Sequence, residues 1–163
     1  MNLSPHFTYD EMTRSAKADD LGIKNIPTTE HIGNLRYLCE TVLEPLRAHY
    51  KKPIKVTSGY RNIAVNLAVG GTSKSQHCVG EAVDCEIDGI PNIEVADWVS
   101  ENLLFDQVIL EFYNPPQGIN SGWVHISVKR NGNNRKSKLV AFKDGKKTVY
   151  KAITDFSSME NDN

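Results

Sequence analysis

Two short segments of the chain alternate between apolar and polar residues, and this alternation constrains the fold more than any other feature. In residues 82–88 and 123–128 every second residue is apolar, namely Val83, Cys85, Ile87, Val124, Ile126 and Val128. Successive side chains of a strand point to opposite faces of a sheet, so each segment is predicted to be a strand with one buried face. The polar residues between them then share the opposite face.

Periodicity and turn residues predict the other elements. The predicted strands are Ile54–Thr57, Gln107–Phe112 and a hairpin of Leu139–Phe142 and Thr148–Tyr150 around an Asp-Gly turn. The predicted helices span 28–50, with a kink or a new turn at Pro45, then 61–69 and 93–103. Strands mixed with helices outside a strict βαβ order indicate the α+β class, with a mostly antiparallel sheet and flanking helices.

Length and composition limit the class of protein. The 163 residues are 39% hydrophobic and 24% charged, which is typical of one globular domain. We expect this domain to span 1–156, followed by a flexible tail over 157–163. The net charge of −1 argues against a general affinity for nucleic acid. No apolar stretch approaches the roughly 20 residues that cross a bilayer, so we expect no membrane insertion. We also expect the protein to be a monomer.

The N-terminus and the cysteines narrow the cellular context. The first residues, MNLSPHFTYDEM, have neither a basic segment nor an apolar one, which predicts cytoplasmic synthesis without a signal peptide. Three cysteines without a Cys-x-x-Cys pair exclude a disulfide framework and a cysteine-type zinc finger. A Cys78–His77 nucleophile and base pair is disfavoured, because adjacent side chains of an extended segment point apart.

The polar residues that alternate with the apolar ones in these two strands suggest a metal site. Asp84 and His125 both lie opposite the apolar positions, so they meet on one open face if their strands are neighbours. His77 precedes Asp84 by seven residues, in a loop that leads into the same strand. Two imidazoles and one carboxylate, with water in the fourth position, are a known catalytic zinc set. Solvated strand residues with no metal remain the alternative at this point.

Three ordered motifs make the sequence recognisable. They are SGYRN at 58–62, SQHCVGEAVD at 75–84 and WVH at 123–125. Together they resemble the zinc D-Ala-D-Ala carboxypeptidase family, which includes the L-alanyl-D-glutamate endopeptidases of phage lysins and belongs with the hedgehog-like metallopeptidases. The resemblance extends from Phe7 to Val128. It implies a hedgehog-like α+β fold and a Zn²⁺ ion held by His77, Asp84 and His125.

The resemblance also implies roles for residues around the metal. Arg61 in the SGYRN motif is expected to point into the cleft and to stabilise the developing oxyanion of the substrate; a surface arginine at a helix start is the alternative. Ser75 and Gln76 flank the metal and are candidate substrate-binding residues, or merely shape the loop. Trp123 shares the face of His125, where it either contacts the peptide or is a partly exposed sheet aromatic.

One departure from the family pattern concerns the general base. Many members have a Glu-x-x-His motif, but the position three residues before His125 is Gly122, which cannot take a proton. Glu111 is the preferred catalytic base, because it ends a strand on the polar parity before the loop that leads to His125. Glu86 shares a face with Asp84 and is the rival. Glu81 and Asp88 follow, and a chain without a working base is the remaining alternative.

These observations predict a function. We expect a zinc-dependent peptidase whose partner is the peptide stem of bacterial peptidoglycan, with cleavage at a D-Ala-D-Ala or an L-Ala-D-Glu bond. A phage or prophage origin is favoured, with access to the wall after holin-type release or from a virion. The alternative is a non-catalytic phage structural or wall-binding module that kept the fold and the zinc.

Overall fold

The computed structural model describes residues 1–161. The helices are α1 (Tyr9–Thr13), α2 (Ala16–Leu21), α3 (Thr29–Leu38), α4 (Glu44–Tyr50), α5 (Ile63–Ala68) and α6 (Asn92–Asn102). The strands are β1 (Asn2–Ser4), β2 (Phe7–Thr8), β3 (Lys55–Ser58), β4 (Ala82–Glu86), β5 (Gln107–Glu111), β6 (Trp123–Ser127), β7 (Ser137–Asp144) and β8 (Lys147–Ala152). Short 3₁₀ helices span Gln76–Val79, Pro115–Gln117 and Ser157–Asn161.

The strands form a small sheet and a large one. Strands β1 and β2 pair with each other, and the other strands of the described chain form a sheet in the order β3-β4-β6-β5-β7-β8. Neighbouring strands of the large sheet are antiparallel except β5 and β7, which run parallel. The predicted α+β class and the mostly antiparallel sheet are confirmed.

The helical segment predicted over 28–50 is interrupted, and Pro45 lies where a new helix begins, which is one of the two expectations for it. Thr28 caps α3, since its hydroxyl accepts a hydrogen bond from His31 N at 3.1 Å. A π-helical stretch, Cys39–Leu43, then joins α3 to α4, and Pro45 lies in the first turn of α4. Proline has no backbone N–H to donate, so the start of a helix accommodates it without losing a hydrogen bond.

The core lies on one face of the large sheet, beneath the α3–α4 segment and α6. The six apolar residues of the alternating segments are at most 1% exposed, as the pattern predicts. They pack with apolar residues of the helices, which include Leu35, Leu38, Leu46, Ile93, Val95 and Val99. The opposite face of the same strands is therefore free to form a cleft.

The ends of the chain differ from the predictions in detail. The sequence analysis did not identify β1, β2, α1 or α2, which are too short to show a period. The hairpin of β7 and β8 is longer than predicted and turns at Gly145, whose φ is +63°. Within the predicted tail, Ser157–Asn161 is helical and Met159 packs against the core; residues 162–163 lie outside the described part of the chain. None of the helices in residues 1–161 is long and apolar enough to cross a membrane.

Candidate metal centre

The register of the sheet brings Asp84 and His125 together. Strands β4 and β6 are antiparallel neighbours, and Asp84 lies directly opposite His125. Residues opposite each other in neighbouring strands share a face, so both side chains project away from the core. Asp84 Oδ1 is 3.0 Å from His125 Nδ1. The face predicted from the alternating pattern thus exists.

His77 reaches the same point from the loop before β4. It lies in the 3₁₀ helix Gln76–Val79, which Ser75 caps by accepting a hydrogen bond from His77 N at 3.2 Å. His77 Nδ1 is 2.7 Å from the carbonyl oxygen of Gly59. A carbonyl oxygen can only accept, so Nδ1 carries the proton and Nε2 presents its lone pair to the site, 3.4 Å from Asp84 Oδ1.

The three residues form a buried cluster that fits a divalent metal. His77, Asp84 and His125 are 3%, 7% and 8% exposed, and their ligand atoms lie within 4.8 Å of one another. Burial by itself raises the pKa of Asp84, but its interactions with the imidazoles of His77 and His125 outweigh that effect and hold the pKa far below its usual range. A carboxylate that stays ionised, with an imidazole oriented by a carbonyl, is the donor set that zinc prefers.

Glu111 lies near these ligands, two residues along β5 from the residue that pairs with His125. It ends β5, opposite Trp123 of β6, while His125 lies opposite Ile109. Its side chain and the three candidate ligands line one cleft of about 790 Å³. Burial and, next, the negative charge of Asp84 raise the pKa of Glu111 from 4.5 to about 7. This carboxyl can therefore exchange a proton near neutral pH in the metal-free chain.

The other acidic residues weighed as bases have different surroundings. Glu86 pairs with Lys55, whose Nζ is 3.3 Å from the carboxylate, and Glu81 lines a smaller neighbouring cavity. Neither of them, nor Asp88, contributes to the lining of the cleft. Gly122 has a φ of +67°, and a Cβ there would collide with the backbone oxygen of Glu111. The local backbone therefore excludes a glutamate at position 122.

Arg61 lies before α5 rather than inside it. Asn62 caps this helix by accepting a hydrogen bond from Val65 N, so Arg61 is in the extended segment that enters the cleft. Arg61 Nε donates to Asn66 Oδ1 at 3.0 Å and Nη1 donates to Ser58 Oγ at 2.8 Å. The guanidinium is thus fixed in direction, and its charge reaches Glu111, whose pKa it lowers slightly against the larger effects.

The remaining candidates occupy the walls of the cleft. Trp123 packs edge-on against Phe112, with 5.2 Å between the ring centroids. Its buried Nε1 is near enough to the Glu111 carboxylate to oppose the rise of that pKa, yet it makes no well-formed hydrogen bond among the described residues. Cys78 is buried with a raised pKa, caused by that burial, which is the opposite of an activated nucleophile.

Gln76 has a partner that the sequence did not reveal. Its Nε2 donates to Asp106 Oδ2 at 2.9 Å, and Asp106 is completely buried before β5. Arg135 binds the same carboxylate, with 2.7 Å between Nη2 and Oδ2. A lone aspartate after an apolar segment shows no motif or period, so no sequence signal marks this cluster. Asp106 thus ties the loop of His77 to the start of β5.

Comparison with known proteins agrees with this geometry. The chain matches the family model described as Peptidase M15 over residues 5–127. This stretch contains the three candidate metal ligands, Glu111 and Arg61. No curated protein is found to match. Since the matched stretch covers most of the chain, the protein belongs to the peptidase M15 family of zinc metallopeptidases, the D-Ala-D-Ala carboxypeptidase type.

Proposed function

We propose that this protein is a zinc peptidase that hydrolyses an amide bond in the peptide stem of bacterial peptidoglycan. The observation that carries the proposal is the face shared by the buried His77–Asp84–His125 cluster and Glu111 in one cleft. Membership of the M15 family supports the peptidase activity. The cell-wall substrate rests on the resemblance of the motifs to wall-cleaving members.

Zinc would be held by His77 Nε2, the Asp84 carboxylate and His125 Nδ1. When bound, it would supply a water of lowered pKa and polarise a carbonyl oxygen. The orientation of these side chains does not depend on the metal, because the Gly59 carbonyl fixes the ring of His77 and the strand pairing fixes the other two residues. The positions of the three side chains are thus preorganised, and zinc would displace the proton that His125 Nδ1 shares with Asp84.

Glu111 is proposed as the general base. Its carboxylate takes the proton of the attacking water and then delivers a proton to the leaving amine, so the same oxygen atoms serve both steps. A pKa raised to about 7 suits a group that must accept and then donate at neutral pH. A bound dication shifts this pKa downward, because positive charge favours the carboxylate.

Arg61 is proposed to stabilise the developing oxyanion. Its Nε and Nη1 are occupied by Asn66 and Ser58, which leaves Nη2 for a substrate oxygen within the described cleft. A guanidinium that is fixed before the substrate arrives loses little further freedom on binding. Trp123 Nε1 offers a second donor at the wall, and Ser75 and Gln76 form the adjacent rim as substrate-binding candidates.

The bond cleaved and the biological setting belong to the same proposal. Cleavage of a D-Ala-D-Ala and of an L-Ala-D-Glu bond needs the same chemistry, and the walls of the cleft select between them. A phage or prophage origin, with access through a holin-opened membrane or from a virion, is supported by the similarity of the Glu111-Phe112 and Trp123–His125 stretches to phage-type members. We propose that the protein acts as a monomer.

Digestion of purified cell walls tests the proposal. The protein is incubated with walls before and after treatment with a chelator, and the released peptides are identified by mass spectrometry. We expect release that stops with the chelator and returns with zinc, and the product masses name the bond. Tight zinc binding with no peptide release would instead indicate a non-catalytic module.

A further inference from the structure

Part of the wall of the cleft comes from the C-terminal part of the chain. The family match ends at residue 127, whereas the cleft is also lined by Arg135, Leu139, Thr148 and Tyr150. The parallel pairing of β5 with β7 places this segment beside Glu111, which lies opposite Ala141. Residues beyond the matched stretch therefore form part of the cleft.

Arg135 is the one of these residues with a permanent charge and a fixed direction. Its Nε lies 3.1 and 3.2 Å from the two carboxylate oxygens of Asp106, and its backbone N–H donates to Asp106 Oδ1 at 2.8 Å. Asp106 is 0% exposed, but the side chain of Arg135 is 55% exposed. A buried carboxylate thus holds a guanidinium whose remaining Nη1 has no acceptor in the part of the chain that the structure describes.

The charges that line the cleft favour an anionic ligand at this place. The cations in the lining are Arg61, Lys74 and Arg135, and the carboxylates are Asp84 and Glu111. Both carboxylates are already committed in the proposed function, Asp84 to the metal and Glu111 to proton transfer. Glu81 lines the neighbouring cavity, to which Lys74 and Arg135 also contribute, and it does not line the cleft. Arg135 is already paired with Asp106, so the cationic groups that remain for a ligand are its Nη1 edge and the Lys74 ammonium group, for which the described residues offer no acceptor.

The register of the sheet separates this basic end from the reacting centre. Along β5, Gln107 lies beside Ser137 at the Arg135 end, and Glu111 lies beside Trp123 at the other end. Four residues of a strand span roughly 13 Å, and His125 lies opposite Ile109 between them. An extended peptide of about four residues covers the same length.

We propose that the Arg135 end of the cleft is a subsite for a free carboxylate of the substrate peptide, with Lys74 as the second cation. The inference rests on the proposed function, since it names the acidic character of that same substrate. Arg135 is a substrate-binding residue in this account, Asp106 positions it, and the bound carboxylate sets which amide bond lies beside Glu111.

The test varies the charge of the peptide rather than only that of the protein. The probes are a stem pentapeptide that contains both candidate bonds and its analogue with every carboxylate amidated. Dissociation constants are measured by calorimetry on zinc-loaded Glu111→Gln protein, which prevents turnover. Amidation should weaken binding by about 10–100-fold, the range for one hydrogen-bonded charge, and this penalty should vanish when Arg135→Gln is added.

Two controls keep the result interpretable. Lys146→Gln removes the same charge from an exposed turn outside the cleft and should retain the full penalty. Arg135→Gln leaves the buried Asp106 with Lys129, 3.8 Å away, as its remaining charged partner, so the double variant Asp106→Asn/Arg135→Gln serves if the single one does not fold.

The outcomes separate this inference from the proposed function. Equal affinity for both peptides, or a penalty that survives in the Arg135 variants, overturns the carboxylate subsite, even if the wild-type protein cleaves cell walls. A penalty that depends on Arg135 in a protein that releases no wall peptide supports the subsite and refutes the proposed reaction. Binding of neither peptide contradicts both.

Discussion

The two faces of strands β4 and β6 are buried to nearly the same extent but carry opposite chemistry. On the core face Val83, Val124 and Ile126 are 0% exposed, and each such side chain contributes about 1.5–3 kcal/mol through burial. On the cleft face Asp84 and His125 are also buried. Burial of ionisable groups costs free energy unless partners compensate it. The cleft face therefore fits a role in metal binding better than a role in stabilising the fold.

The most severe test of this comparison replaces neighbouring residues of β6. His125→Ala should abolish zinc retention and activity while the protein stays folded, because a three-ligand site loses a third of its donors. Ile126→Ala should do the reverse: it should lower the free energy of unfolding by about 2–5 kcal/mol, while the folded molecules still bind zinc. Metal analysis after dialysis and denaturant titration measure the two effects.

The same loss of zinc is expected for His77→Ala and Asp84→Ala. Near wild-type zinc content in any one of the three variants would remove that residue from the ligand set. Zinc loss in Ile126→Ala at a denaturant concentration where the protein is folded would contradict the division between the faces.

The next largest effect concerns the two glutamates weighed as bases. Glu111→Gln keeps the shape of the side chain but cannot accept a proton, so turnover should fall by about 10²–10⁴-fold with zinc content unchanged. Glu86→Gln is the matched control, since Glu86 pairs with Lys55 outside the cleft and its loss should be mild. An inactive Glu86→Gln with an active Glu111→Gln would reverse the assignment, and two active variants would refute the mechanism.

Arg61→Ala should have a smaller effect on turnover. The loss of one oxyanion donor reduces the rate by about 10²–10³-fold, and zinc should be retained because Arg61 is not a ligand. The reduction should appear in kcat and in kcat/KM, as expected for an interaction made in the transition state. Unchanged turnover of cell-wall peptide would assign Arg61 to the surface.

The smallest effect is a pH-dependent difference in stability of the metal-free protein. The pKa of Glu111 is raised from 4.5 to about 7, so between these values the folded state holds a proton that the unfolded chain has lost. Stability from this group is present at low pH and falls as the pH rises through that window. The free energy of unfolding of Glu111→Gln, relative to wild type, should therefore increase from about pH 4 to about pH 8. A difference independent of pH would contradict the raised pKa.

The shared face of Asp84 and His125 could be predicted from the sequence because it depends on the alternation of side chains along each strand. A strand that buries Val83 and Val124 must turn Asp84 and His125 the other way, and this holds whatever the rest of the fold is. The same alternation along β5 predicted the face on which Glu111 lies. The capped helices and the hairpin with its Asp-Gly turn were likewise local patterns that tertiary contacts did not override.

The other side of the cleft depends on contacts that leave no local pattern. The parallel placement of β7 beside β5 and the burial of Asp106 between Gln76 and Arg135 join segments about 30 residues apart. Gln76 was predicted as a substrate-binding residue from its place beside His77, and its amide instead holds Asp106, while part of the side chain still lines the cleft. The periodicity of a sequence predicts which face of a helix or strand is buried. It does not predict which helices and strands pack against each other.

The central claim is that the cleft face of β4 and β6 is a metal centre. The most direct measurement is an anomalous difference map, recorded at the zinc absorption edge, from crystals of the wild-type protein grown with zinc. We expect one peak at bonding distance, about 2.0–2.2 Å, from His77 Nε2, the Asp84 carboxylate and His125 Nδ1. No peak between these three side chains, with zinc bound elsewhere or not at all, would contradict the account.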